Sequence, residues 1–98
     1  MSPSYRVSAA VGMLQPGTDP ADVLPQAVAV ARERVVVEAF DLAVVRGEAR
    51  VTVRFEADDD PTARQVGWAV LARLDELADI SGRRVTRRWG ARWLPLRV

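Results

Sequence analysis

Apolar and polar residues alternate along residues 39–45 and again along 50–56, with a short turn between the two runs. This period of two predicts a β-hairpin with one face in a core and the other in solvent. A two-residue turn at Gly47-Glu48, with Gly in the first position of a type II′ turn, fixes the pairing. The predicted apolar pairs are Phe40–Phe55, Leu42–Val53 and Val44–Val51.

Four further elements flank this hairpin. Residues 5–13 alternate as a strand, and residues 83 to about 93 form another. A first helix follows Asp22 as N-cap, which leaves Pro25 in the first turn, where its missing N–H costs nothing. A second helix has Asp60 as N-cap and Pro61 at its first position, and Ser81-Gly82 ends it.

The order strand, helix, strand, strand, helix, strand resembles the ferredoxin-like fold. Right-handed β–α–β crossovers then predict an α+β domain with a four-stranded antiparallel sheet, in order 4-1-3-2, and two helices on one face. We expect a single domain over residues 1–98, with a short irregular tail from about 94 to 98. This fold hosts many unrelated functions, so the resemblance selects none.

The amino-acid composition limits the catalytic chemistry and the partners that the chain can have. The chain has no cysteine and no histidine, which removes thiolate chemistry and the side chain best suited to proton transfer near neutral pH. No segment has the length and apolarity of a membrane span or the layout of a signal peptide, so a soluble, cytoplasmic protein is predicted, with no membrane partner. The net charge is +1. No overall field therefore draws the molecule to nucleic acid.

All fourteen basic residues are Arg. Codon bias in a GC-rich genome explains this, and so does selection for bidentate contacts with anions, which Lys does not make. The outer sheet face is predicted to carry Arg at its flanks and small residues at its centre. It is interpreted as a solvated face with an Asp41–Arg54 pair, as a dimer interface, or as a nucleic-acid platform. An RNA-binding sheet requires exposed aromatic residues, and Phe40 and Phe55 have core parity instead.

The segment from residue 83 to residue 98 combines six Arg and two Trp with no acidic residue. Such a mixture is typical of grooves for single-stranded nucleic acid. Strand parity favours another interpretation, in which Trp89 and Trp93 face the helices and Arg84, Arg88 and Arg92 face outward. A bulge at Gly90 would reverse the phase beyond it.

Two other features have structural and functional interpretations. Trp68 projects away from the apolar stripe of the second helix, where the tail or a partner would cover it. Asp58, Asp59 and Asp60 suit helix capping better than cation binding, because further spaced ligands are missing. The sequence predicts no catalytic, cofactor-binding or metal-binding residue, and therefore no enzyme.

The leading hypothesis is a small non-catalytic interaction domain that self-associates as a homodimer. Its candidate interface residues are Ala10, Gly12, Ala43, Val45, Trp68, Leu94 and Leu96. The first alternative is binding of an anion or single-stranded nucleic acid. Its candidate residues are Arg6, Arg54, Arg84, Arg88 and Arg92. The second alternative is a small-ligand sensor with its cleft between the sheet and the helices.

Overall fold

The computed structural model describes residues 2–97, so Met1 and Val98, the ends of the predicted domain and tail, lie outside it. These residues form two α-helices and an antiparallel sheet of five strands. The elements are β1 (Ser4–Leu14), a 3-10 turn (Pro20–Asp22), α1 (Val23–Arg32), β2 (Val37–Val45), β3 (Glu48–Glu56), α2 (Asp60–Leu77), β4 (Ala78–Trp89) and β5 (Arg92–Pro95).

The strands lie in the order β2-β3-β1-β4-β5. The α+β class is confirmed. The prediction of four strands is wrong, because the chain turns back after β4 and adds β5 at its outer edge. Neither helix of residues 2–97 is long and apolar enough to cross a membrane.

The β2–β3 hairpin turns one residue earlier than the sequence predicts. Its turn is Arg46-Gly47, with φ values of 52° and 81°. Positive φ at both central residues defines a type I′ turn, which follows the twist of the two strands. The register therefore differs by two residues from the predicted one, and a shift of two leaves each side chain on its predicted face. The apolar pairs are Leu42–Val51, Phe40–Val53 and Val37–Phe55.

The core lies between one face of the sheet and the two helices. Tyr5, Val53 and Phe55 of the sheet are fully buried there against the apolar stripes of α1 and α2. Phe55 therefore has its predicted place. Phe40 does not, because 49% of it is exposed. It lies on the edge strand β2, where α1 leaves an open groove beside it.

The start of α1 agrees with the prediction, since Asp22 is its N-cap residue and Pro25 lies in the first turn. The start of α2 differs by one residue. Asp59 is the N-cap, and its carboxylate accepts a hydrogen bond from the backbone N–H of Thr62 at 2.9 Å. Proline at the second helical position also loses no hydrogen bond, so Pro61 fits either start.

The end of α2 was predicted wrongly. The helix stops at Leu77, and β4 begins at the next residue, Ala78, without a turn. Ser81-Gly82 lies inside β4, where the register with β1 shifts. Gly82 has a φ of 58° there, a conformation that favours glycine. The glycine therefore serves an irregularity within β4 and not the end of a helix.

The predicted last strand is in fact a second hairpin. Gly90, at a φ of 59°, turns the chain after Trp89, and β5 returns beside β4 with Trp93 opposite Arg88. This reversal places Trp93 on the outer face, while Trp89 is 52% exposed. The prediction that Trp93 faces the helices is therefore wrong, whereas Trp89 lies on the helical side of the sheet, stacked on Arg87 but half exposed. The predicted irregular tail is also ordered at Leu96, which packs against the core.

Candidate anion-binding face of the sheet

The outer face of the sheet gathers Arg side chains from three adjacent strands. Arg6 of β1 lies opposite Arg54 of β3, and Arg84 of β4 lies opposite Ser8 of β1. We call this surface the arginine face and define it by six residues: Arg6, Arg50, Arg54, Arg84, Arg88 and Trp93. Four of the five predicted anion-binding residues belong to it. Arg92 does not, since strand alternation directs it away from its neighbour Trp93.

Trp93 is the residue around which the arginine face is organised. The guanidinium carbon of Arg6 lies 3.8 Å from the centre of its ring, and those of Arg54 and Arg88 lie at 5.3 Å and 6.0 Å. Stacking of guanidinium groups on an indole is favourable and restrains both partners. An unbroken strand over residues 83–93 would direct Trp93 toward the helices, so this role was not predicted. The only sequence signal for the hairpin that places Trp93 on the outer face is Gly90.

A shallow cavity of about 230 Å³ opens at the centre of the arginine face. It is lined by three guanidinium groups, three hydroxyl groups and one indole, belonging to Arg6, Arg50, Arg84, Ser8, Thr52, Thr86 and Trp93. No carboxylate lines it. Ser8 and Thr86 are buried at its base beneath the longer side chains. The cavity therefore offers hydrogen-bond donors and positive charge together.

Arg50 is held in place at the edge of this cavity. Its Nη2 atom donates to Ser8 Oγ at 3.2 Å and to the carbonyl oxygen of Gly82 at 2.8 Å. The side chain thus reaches across β1 from β3 to β4. A guanidinium fixed in this way loses less entropy when it binds a ligand than a mobile one does.

The positive charges of the arginine face repel one another. Partial burial lowers the pKa of Arg6, and the nearby charges of Arg54 and Arg88 lower it further. Arg54 is partly neutralised by Glu38, whose carboxylate lies 3.2 Å from its Nε. The predicted Asp41–Arg54 pair is wrong, because a bulge at Glu38 brings that residue to Arg54 and the register places Asp41 opposite Thr52.

A second shallow cavity, of about 290 Å³, continues the surface toward β2. It shares Arg6 and Thr52 with the central cavity and adds Arg54 and the carboxylate of Asp41. The two cavities together cross the sheet from β4 to β2. At about 4.8 Å between strands, this path spans roughly 14 Å.

The predicted interface residues do not form one surface. Ala10 is buried on β1, whereas Ala43 and Val45 lie on the edge strand β2. Trp68 is half exposed on α2, on the helical side of the molecule, beside the Arg83–Asp75 ion pair. The remaining members also lie apart: Gly12 is exposed near the end of β1, Leu94 is exposed on β5, and Leu96 packs on the core.

A polar cluster that the sequence did not indicate joins α2 to the sheet. The Asp60 carboxylate accepts hydrogen bonds from the Tyr5 hydroxyl at 2.7 Å and from Arg87 at 2.9 Å. Both bonds lower the pKa of Asp60. Burial, and then Asp60, raise the pKa of Tyr5 to about 12. Trp89 stacks on Arg87 at 3.9 Å. Arg87 Nε is buried in this cluster without a hydrogen-bond partner, whereas the Asp60 carboxylate joins Tyr5 and Arg87 to the start of α2.

The centre of the space between sheet and helices, where a small-ligand sensor needs its cleft, is filled by fully buried side chains such as Phe55 and Leu74. At its edge an apolar groove of about 570 Å³ stays open between α1 and Phe40 of β2. Within residues 2–97, no three acidic side chains lie close enough together to hold a metal ion.

Comparison of the chain with models of protein families, with curated proteins and with solved structures found no match. The arginine face is therefore interpreted from its own chemistry.

Proposed function

We propose that this chain is a non-catalytic binding domain whose arginine face holds a phosphate-bearing ligand. The observation that carries the proposal is the central cavity, where Arg6, Arg50 and Arg84 meet without a carboxylate. Burial and then the charges of Arg54 and Arg88 lower the pKa of Arg6, and a phosphate group beside Arg6 offsets the repulsion from these two charges. Arg binds phosphate with two parallel hydrogen bonds, which favours this anion over a simple halide.

The hydroxyl groups give the site its second recognition element. Ser8, Thr52 and Thr86 lie at the base of the cavity, where each hydroxyl donates to an anion without adding charge. Arg6 and Arg54 extend the positively charged surface from this cavity toward β2. This path suits a ligand with successive phosphates, as in single-stranded nucleic acid, and the central cavity alone suits a single phosphate group.

Titration of labelled single-stranded oligonucleotides, followed by fluorescence anisotropy at rising salt, tests the proposal. Three phosphate contacts predict a slope of about −2 for log affinity against log salt. Arg84→Gln removes one contact and is expected to reduce the slope by about 0.7. Arg34→Gln is the matched control, because Arg34 is exposed outside the sheet, between α1 and β2, and its loss leaves the slope unchanged.

A competition arm separates the two sources of phosphate. A nucleoside triphosphate that displaces the oligonucleotide at equal phosphate concentration identifies a small phosphorylated ligand. Failure to compete identifies the polymer. Absence of binding at low salt, or binding that Arg84→Gln and Arg34→Gln weaken equally, contradicts the proposal.

A further inference from the structure

The two cavities of the outer sheet face differ in charge. The central cavity has three Arg and no carboxylate in its lining, whereas the charged residues that line the second cavity are Arg6, Arg54 and Asp41. Glu38 lies 3.2 Å from Arg54 and offsets its charge. The positive charge is therefore highest over the central cavity and declines toward β2. A ligand that lies across both cavities is oriented by this difference, with its anionic group over the central cavity.

Asp41 is the carboxylate that remains available at the β2 end. Its neighbour Glu38 accepts hydrogen bonds from Arg54 and from the hydroxyl of Ser4. No side chain among residues 2–97 forms an ion pair with Asp41, which is exposed. An ionised carboxylate accepts hydrogen bonds and donates none. The second cavity therefore suits a part of the ligand that donates them, such as a hydroxyl group.

The register of the sheet places Asp41 one strand away from the central cavity. Asp41 lies directly opposite Thr52, and Thr52 lines both cavities. The Cα atoms of directly opposed residues in antiparallel strands are about 5 Å apart. In a nucleotide the sugar is joined directly to the phosphate. A nucleotide whose phosphate occupies the central cavity therefore places its sugar hydroxyls within reach of Asp41.

We propose that Asp41 accepts a hydrogen bond from the ribose 2′-hydroxyl of the bound ligand, so that the arginine face selects ribonucleotide units over deoxyribonucleotide units. This inference rests on the proposed phosphate site and names the sugar that accompanies the phosphate. The 2′-hydroxyl is the group by which a protein distinguishes RNA from DNA at a given site. A carboxylate that binds this hydroxyl beside a phosphate site is also the arrangement that dinucleotide-binding folds use.

The negative charge of Asp41 makes the role of this residue measurable. Asp41 repels phosphate, so its removal strengthens the binding of any polyanion if only electrostatics is involved. Loss of a hydrogen bond to the 2′-hydroxyl acts in the opposite direction and affects ribose alone. Ligands that differ only in the sugar separate the two effects.

Fluorescence anisotropy with labelled oligo-rU and oligo-dU of equal length makes this comparison. The wild-type chain is expected to bind oligo-rU about tenfold more tightly, the effect of one hydrogen bond to a charged group. Asp41→Ala is expected to abolish this preference, while its binding of oligo-dU is strengthened. Competition by uridine monophosphate and deoxyuridine monophosphate shows whether the free nucleotide carries the same preference as the polymer. A ribose preference that depends on Asp41 in either set supports the proposal.

Glu48→Ala is the matched control. Glu48 is an exposed carboxylate on the same face of β3 as Thr52, and it lines neither cavity. Its loss removes the same charge and is expected to strengthen the binding of both oligomers equally. Circular dichroism checks that each variant is folded.

Two kinds of failure can be told apart. Equal binding of the two oligomers by the wild type, with the salt dependence of phosphate contacts intact, overturns the role of Asp41 and not the phosphate site. A ribose preference that Asp41→Ala leaves unchanged has the same meaning. Absence of binding to both oligomers at low salt contradicts the phosphate site itself, and with it this inference.

Discussion

The guanidinium of Arg6 lies over the indole ring of Trp93, with 3.8 Å between the guanidinium carbon and the ring centre. Arg6 comes from the central strand β1 and Trp93 from the edge strand β5. The contact therefore joins the two ends of the chain across β4. It also holds the positive charge of Arg6 near those of Arg54 and Arg88, which repel it. An anion bound here would offset the repulsion between Arg6 and its neighbours Arg54 and Arg88.

A double-mutant cycle on Arg6→Gln and Trp93→Leu measures this contact. We expect a coupling free energy of about 0.5–1 kcal/mol, the usual range for a guanidinium stacked on an exposed aromatic ring. Urea unfolding supplies the four stabilities. Arg87 and Trp89, which stack at 3.9 Å, form the comparison pair. Additive losses for Arg6 and Trp93 would show that their stacking contributes nothing.

Gly67→Ala is expected to destabilise the protein by about 1–3 kcal/mol, although Ala normally favours a helix. An added Cβ would lie 2.5 Å from Cγ2 of Val85, which is fully buried and has restricted rotamers. Thermal and urea unfolding measure the loss. The double variant with Val85→Ala should lose less than the sum of the two single changes. Additive losses would contradict steric contact as the cause.

Tyr5, the single tyrosine of the chain, allows a direct pH measurement. Burial and the hydrogen bond to Asp60 raise its pKa to about 12 from an ordinary value of 10.0. The protonated form therefore contributes stability that is complete below pH 10 and lost as the pH rises through about 12. Ultraviolet absorbance of the phenolate follows this titration. Asp60→Asn should lower the pKa of Tyr5 only in part, because burial remains.

Asp60 gives the opposite dependence at acid pH. Hydrogen bonds from Tyr5 and then Arg87 lower its pKa below the ordinary value of 3.8. Its contribution to stability is therefore present above pH 3.8 and lost as the pH falls through the lowered value. Urea midpoints of Asp60→Asn should vary less with acid pH than those of the wild type. Asp58→Asn, at an exposed neighbour, is the control, and equal behaviour of the two variants would be contrary to this expectation.

Strand parity was the part of the fold most accessible from sequence. The predicted hairpin has its turn one residue late, yet Val51, Val53 and Phe55 face the core, because a register shift of two preserves the face of each residue. The turn itself was not predictable, since Arg46 adopts a φ of 52° that non-glycine residues seldom adopt.

The candidate site was less accessible for a related reason. Parity assumes an unbroken strand, and the turn at Gly90 reverses the chain before Trp93. The sequence correctly predicts that Arg6, Arg54, Arg84 and Arg88 lie on the outer face of the sheet. It wrongly predicts that Trp93, on which three of them stack, faces the helices. The bulge at Glu38, which supplies the carboxylate for Arg54, likewise depends on the β2–β3 register and leaves no local sequence signal.

Amide chemical shifts recorded by NMR during titration with inorganic phosphate and then with a single-stranded oligonucleotide test the central claim most directly. The account predicts that the largest shifts occur at Ser8, Thr52 and Thr86, with the indole N–H signal of Trp93, and that Arg84→Gln weakens them. Shifts centred on the helices, or an absence of shifts at low salt, would contradict a phosphate site on the arginine face.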